Sequence, residues 1–193
     1  MSSPASVTPA PPAVGLGRAR TLRTLYLVRA AIAVAWALTL ATAGRDSTAL
    51  ATGLLIFYPL LDVVASLVDA RINAGTPAAA TQRVNAALSA VTAIAMVFAA
   101  TVDVPAMAIV FGVWAVLAGV IQLLLGIRRR RQMTGQWSMI VSGAGSAIAG
   151  VSFIVEASRG AFDVTNLAGY ATVGAILFVI SAVRLTSGAR PTR

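Results

Sequence analysis

Tyr58, Asp62, Ser66 and Asp69 follow one another at spacings of four, four and three residues. In a helix this spacing puts a phenol, a hydroxyl and two carboxylates on one face. All four lie in FYPLLDVVASLVDARIN, residues 57 to 73, an apolar stretch that holds two of the chain's six acidic residues. An ionised carboxylate among hydrocarbon is expensive, so Asp62, roughly 9 to 11 Å from the helix end at about 1.5 Å per residue, must face protein, pair or hold a proton. The best partner is Arg29, about one turn inside the preceding apolar segment, which runs antiparallel to this one. Gln122 stands 56 residues beyond Ser66 and completes a candidate intramembrane polar site of Asp62, Arg29, Ser66 and Gln122. Two functions fit such a site: taking up a proton or a small solute, or fixing helix register as a buried ion pair. Asp69 reads differently, as a helix-end residue that pairs with Arg71 or with water.

Other chemistries are excluded by what the chain lacks. It has no cysteine and no histidine, which rules out disulfides, thiol catalysis, histidine-ligated metals and imidazole switches. No nucleophile–base pair, metal set or phosphate loop is legible, so a non-enzymatic protein without a cofactor is expected.

The elements that must position these residues are membrane helices. Of 193 residues, 58% are hydrophobic and 11% charged, and the mean hydropathy is +0.85. Segments of about 20 apolar residues suffice to cross a hydrocarbon core of about 30 Å. Six are present, at 25 to 43, 49 to 69, 84 to 102, 105 to 127, 137 to 156 and 165 to 185. The expected architecture is an all-α integral membrane protein, with a six-helix domain over 25–185 between two tails. Residues 1–24 read as a disordered Pro/Ala-rich tail ending in a basic juxtamembrane segment, and 186–193 as a short basic tail.

All fifteen basic residues are arginine. Their distribution follows membrane topology and not nucleic acid: with the N-terminus inside, thirteen fall on inner segments and two, Arg45 and Arg159, on outer loops. Both termini are therefore expected in the cytoplasm. Arg128, Arg129, Arg130 and Arg131 give the strongest topology signal, and are candidate contacts for anionic lipid headgroups. Asp46, Asp103, Glu156 and Asp163 fall in or beside outer loops, either as ordinary loop acids or as a charge that strong acid would discharge.

An offset of 56 residues superimposes the chain on itself twice. Tyr58, Trp114 and Tyr170 coincide, as do Ala30, Ala86 and Ser142, then Ala33, Ser89 and Gly145, then Ala37, Ala93 and Ala149. Three parallel copies of a two-helix hairpin account for this. The counterparts of Asp62 are Ala118 and Gly174. Gly112, Gly119 and Gly126, and Ser142, Ser146 and Gly150, form small-residue seams for helix packing first and for a homo-oligomer contact second.

The run RRRRQMTGQWSMIVSGAGSAIAGVSFIV, residues 128 to 155, followed by LAGYATVGAILFVISAVRL, residues 167 to 185, resembles the HdeD family of short-repeat bacterial inner-membrane proteins. The shared elements are a basic loop, Gly135 and Trp137 opening a span, Gly-containing apolar turns, and a closing helix that ends on a basic residue. The resemblance implies six spans and a role in acid resistance. It carries over no functional residue, and the Pro-rich tail and Asp62 depart from it.

Overall fold

The computed structural model describes residues 13–129 and 137–187. The chain forms α1 (Ala13–Thr39), which ends in a π-helical turn over Leu40–Gly44, then α2 (Thr48–Ile72), α3 (Pro77–Ala99), α4 (Val104–Arg129), α5 (Trp137–Ser158) and α6 (Thr165–Ser187). All six are long and apolar enough to cross a membrane. Helix α1 begins twelve residues before the expected span, so the basic segment with Arg18, Arg20 and Arg23 is helical. Long basic side chains can extend a membrane helix past the hydrocarbon edge because their stems stay apolar while their heads reach water. Helix α3 also begins early, at Pro77, whose missing N–H costs nothing at a first helical position. Residues 1–12 and 188–193 of the two expected tails lie outside the described residues.

Each helix turns its large aliphatic side chains outward and its small or polar ones inward. On α2 the outward row is Phe57, Leu60, Val64 and Leu67, while Ala51, Leu55, Asp62, Ala65, Ser66 and Asp69 are buried. That inversion suits a lipid surround, where helices gain nothing by hiding leucine from water and instead associate through close packing and hydrogen bonds.

Neighbours around the bundle run antiparallel. Arg29 meets Asp62 while Trp36 meets Leu54 across α1 and α2, and Gly112 meets Gly150 while Gly119 meets Gly143 across α4 and α5. The helices follow one another in a closed ring, since α6 returns to pack along α1. The closest packing joins α2 to α3, α4 to α5 and α6 to α1. The pairs joined by the other three turns, α1–α2, α3–α4 and α5–α6, touch less. Each expected hairpin is thus a loose pair.

The α4–α5 seam is backbone on backbone. A Cβ added to Gly112 would lie 2.6 Å from the carbonyl oxygen of Gly150, and one on Gly119 would lie 2.6 Å from that of Gly143. The partner row is therefore Gly143 and Gly150 with Ala147 beside them, whereas Ser142 and Ser146 of the expected seam line an interior cavity. Gly119→Val should lower thermal stability in detergent by about 1–3 kcal/mol, the usual cost of overpacking, while Gly145→Ala, whose Cβ meets nothing within 4 Å, should leave it unchanged. Equal unfolding temperatures for both variants would contradict this seam.

Candidate functional site

Asp62 is brought to the centre by α2 and surrounded by donors from both neighbouring helices. Arg29 of α1 is ion-paired with its Oδ1 through Nη2. On the other side, Asn85 Nδ2 and Ser89 Oγ of α3 each donate to Oδ2 at 2.7 Å, and Ser66 Oγ, one turn along α2, lies 3.5 Å away. Asn85 also donates to Ser66 at 2.9 Å, and Trp114 Nε1 of α4 donates to Ser89 Oγ at 3.1 Å. A carboxylate offers about four lone-pair positions. Four donors converge on this one, so the charge is compensated, and Arg29 is the group left with donors to spare.

Arg29 holds its position by two contacts. Asp62 takes one terminal nitrogen, and the guanidinium lies 4.3 Å from the ring centroid of Phe178 on α6. Among the described residues no buried side-chain nitrogen or oxygen lacks a hydrogen-bond partner. The remaining Arg29 N–H groups therefore reach open space, which agrees with the 15% exposure of its side chain.

That space is a cavity of about 990 Å³ lined from all six helices. Arg29, Asp62, Asn85 and Gln122 stand on its polar side; Ala118, Gly145 and Gly174 are among its small residues. Beside it an aromatic cluster gathers. Tyr58 lies 4.6 Å from Trp36 and 6.0 Å from Trp114 between ring centroids, and Phe111 lies 5.1 Å from Trp114 and 5.8 Å from Tyr170. The three aromatics that coincide under the 56-residue offset thus meet around one phenylalanine, and Asp62, Ala118 and Gly174 line one cavity.

Three of the four expected site residues, Arg29, Asp62 and Ser66, join in one hydrogen-bonded group. Gln122 lines the same cavity but is hydrogen-bonded to neither Arg29 nor Asp62. Asn85 and Ser89 were missed, although a signal existed: Asn85 stands 56 residues beyond Arg29, and Ser89 was already aligned with Ala33. Equivalent positions on the helices flanking α2 thus supply two of its donors.

Asp69 is corrected. It is 1% exposed, forms no ion pair with Arg71, and accepts from Tyr26 OH at 3.0 Å and Asn73 Nδ2 at 2.7 Å. The reason is that Tyr26, near the start of the expected first span, reaches this end of α2 while Asn73 folds back on it. The acids expected in outer loops take local partners. Asp103 Oδ1 caps α4 by accepting from the Ala106 N–H at 2.7 Å, Glu156 accepts from Asn166, and Asp46 pairs with Arg45. Asp163 accepts from the Thr165 N–H at 2.8 Å, and this backbone donor holds its carboxyl below the usual carboxylate range. Of the basic cluster, Arg128 is exposed at the end of α4, the side chain of Arg129 is not described, and Arg130 and Arg131 lie outside the described residues.

A closed ring of six apolar helices around a polar centre defines a multi-pass membrane protein. Residues 84–155, from α3 through α4 into α5, match the family described as "Short repeat of unknown function (DUF308)", to which HdeD-like proteins belong. No curated protein and no solved structure matches the chain.

Ser89→Ala should cost about 0.6–1.7 kcal/mol, the range of interhelical hydrogen bonds in membranes, and should shift Trp114 emission as its indole loses an acceptor. Gln122→Leu should leave stability within about 0.5 kcal/mol of the parent. Thermal unfolding of both in one detergent checks the assignment, and a larger loss for Gln122→Leu would contradict it.

Proposed function

We propose that this protein is a non-enzymatic multi-pass membrane protein that binds a small solute in its central cavity, with Arg29 as the ligand-facing group and Asp62, Asn85 and Ser89 as its frame. The observation that carries this reading is that the cavity reaches an arginine with free donors next to a carboxylate held by Arg29, Asn85 and Ser89. Transport follows as an extension: three hairpins repeated about the cavity axis would let it open alternately to either side. The meeting of Tyr58, Trp114 and Tyr170 supports that repeat.

A second reading, a role in acid or envelope stress at the bacterial inner membrane, rests on the HdeD resemblance and the short-repeat match over 84–155. With it go cytoplasmic termini, from the thirteen-to-two arginine distribution, and anionic headgroups at Arg128 to Arg131. A homo-oligomer is compatible with either reading.

The chain has no cysteine, so single-cysteine labelling needs no background changes. In intact proteoliposomes, Ala118→Cys and Gly174→Cys should react with a small water-soluble thiosulfonate at least tenfold faster than Leu117→Cys, which faces outward. Equal protection of all three would mean a sealed interior and would sink the solute-binding reading. For the stress reading, a deletion strain should lose acid survival and regain it with the wild-type chain; unchanged survival would remove that role.

A further inference from the structure

Helices α5 and α6 are joined by a short turn, yet of all neighbours in the ring they pack least on one another. Two groups of contacts hold them together, Glu156 with Asn166 at 2.8 Å near the turn and, further along, Tyr170 with Phe153 at 5.8 Å between ring centroids and with Ser146 at 3.1 Å. Beyond that second contact the helices are apart. The cavity passes between them there, and the residues bordering it include the large aliphatics Val141, Val173 and Ile180, which are 53%, 57% and 42% exposed. The interior therefore opens sideways, toward lipid.

The opening is lined by glycines that serve no packing seam. A Cβ on Gly145, Gly169 or Gly174 would meet nothing within 4 Å, whereas Cβ atoms on Gly112, Gly119, Gly143 and Gly150 of the α4–α5 seam would lie 2.5–2.7 Å from backbone atoms. The same residue type closes one helix pair and leaves the other open. The same cavity is lined by Arg29, Asp62 and Asn85, with Arg29 against Phe178 of α6.

A site with one cationic end and one apolar, lipid-facing end selects by chemistry. A water-soluble ion would leave the apolar wall unused, and a plain hydrocarbon would leave the Arg29 donors without an acceptor, which costs free energy in a low-dielectric interior. The volume falls at the upper end of the range of about 300–1,000 Å³ common to ligand pockets, which leaves room for a chain as well as a head. We infer that the cleft between α5 and α6 admits an anionic amphiphile from the bilayer, its carboxylate or phosphate head pairing with Arg29 and its chain lying along Gly145 and Gly174. The inference rests on the solute-binding reading and names the ligand class for it. Arg29 is well suited to the task because a guanidinium offers carboxylate and phosphate a forked set of donors while Asp62 and Phe178 hold it in place.

The test uses the full chain in nanodiscs of neutral phosphatidylcholine, with Trp137→Phe removing the outward-facing tryptophan so that the buried Trp36 and Trp114 remain and Trp114, on the cavity wall, reports quenching by bromine against the constant Trp36 background. The probes are 9,10-dibromostearate, a brominated lysophosphatidic acid and the matching neutral dibromo alcohol. Saturable quenching by either acid is expected, the stronger one telling a carboxylate from a phosphate headgroup. The alcohol should bind at least tenfold more weakly. Gly174→Leu, which fills the cleft, should weaken the acids at least tenfold while keeping the parent's unfolding temperature, as should the charge-balanced pair Arg29→Gln with Asp62→Asn. Equal binding of acid and alcohol, or binding unchanged in Gly174→Leu, overturns the inference. A parallel arm asks whether propionate or inorganic phosphate protects Ala118→Cys from thiosulfonate. Protection by these headgroups alone, without quenching by the long-chain acids, keeps the cavity as a solute site and overturns the amphiphile. Neither protection nor quenching overturns both, and a change of oligomeric state in Gly174→Leu without loss of quenching assigns the cleft to a second copy of the chain.

Discussion

A carboxylate in the middle of a membrane helix needs an acceptor's full complement of donors, and α2 cannot supply them to Asp62 by itself. Ser66 is the one donor on its own helix; the others are Arg29 from α1 and Asn85 and Ser89 from α3. Each donor has a fixed reach, so together they set the rotation and depth of α2 against both neighbours. Trp114 on Ser89 extends the same constraint to α4. A misregistered α2 would leave a charge unpaired in a low-dielectric interior, and that penalty makes the network specific even where its net contribution to stability is small.

The other half of the ring is held by the opposite device. No polar centre joins α4 to α5; they meet because glycines let the backbones touch. Such contacts gain dispersion over a long seam and suit a surround in which hiding apolar surface brings no advantage. Between α5 and α6 neither device operates along most of their length, and the cavity opens there. The aromatic cluster around Phe111, one turn from the level of Asp62, packs the interior beside it with edge-to-face rings. Bundle, cavity and opening thus follow from where the chain places its polar, absent and aromatic side chains.

Much of this was legible in the sequence. Six apolar segments gave six helices because hydrocarbon thickness imposes a length that composition reveals directly. Arg29 and Asp62 could be paired because each is a rare charge within a span, at matching depth on consecutive antiparallel helices. Their remaining partners were harder to see: Asn85 and Ser89 are small polar residues whose role depends on which way α3 is rotated, and only the 56-residue offset from Arg29 pointed to Asn85. Asp69 was misjudged because its partners are Tyr26 and Asn73, whose approach depends on how α1 and the end of α2 are turned, which spacing alone does not reveal. The closeness of α4 to α5 was foreshadowed by Gly112, Gly119 and Gly126, and Gly150 of the expected partner row lies in the seam, but Gly143 was not foreseen, since α5 carries small residues on two faces and only packing selects between them.

The central claim is that Arg29 and Asp62 act as one unit at the heart of the bundle. A double-mutant cycle on unfolding in detergent, with Arg29→Met, Asp62→Leu and both together, measures it directly. The structure predicts that each single change is more damaging than the pair, because each leaves a buried charge without its partner, with a coupling of about 0.5–3 kcal/mol. Single effects that add within about 0.3 kcal/mol would show that the two side chains do not depend on one another, and would contradict the account.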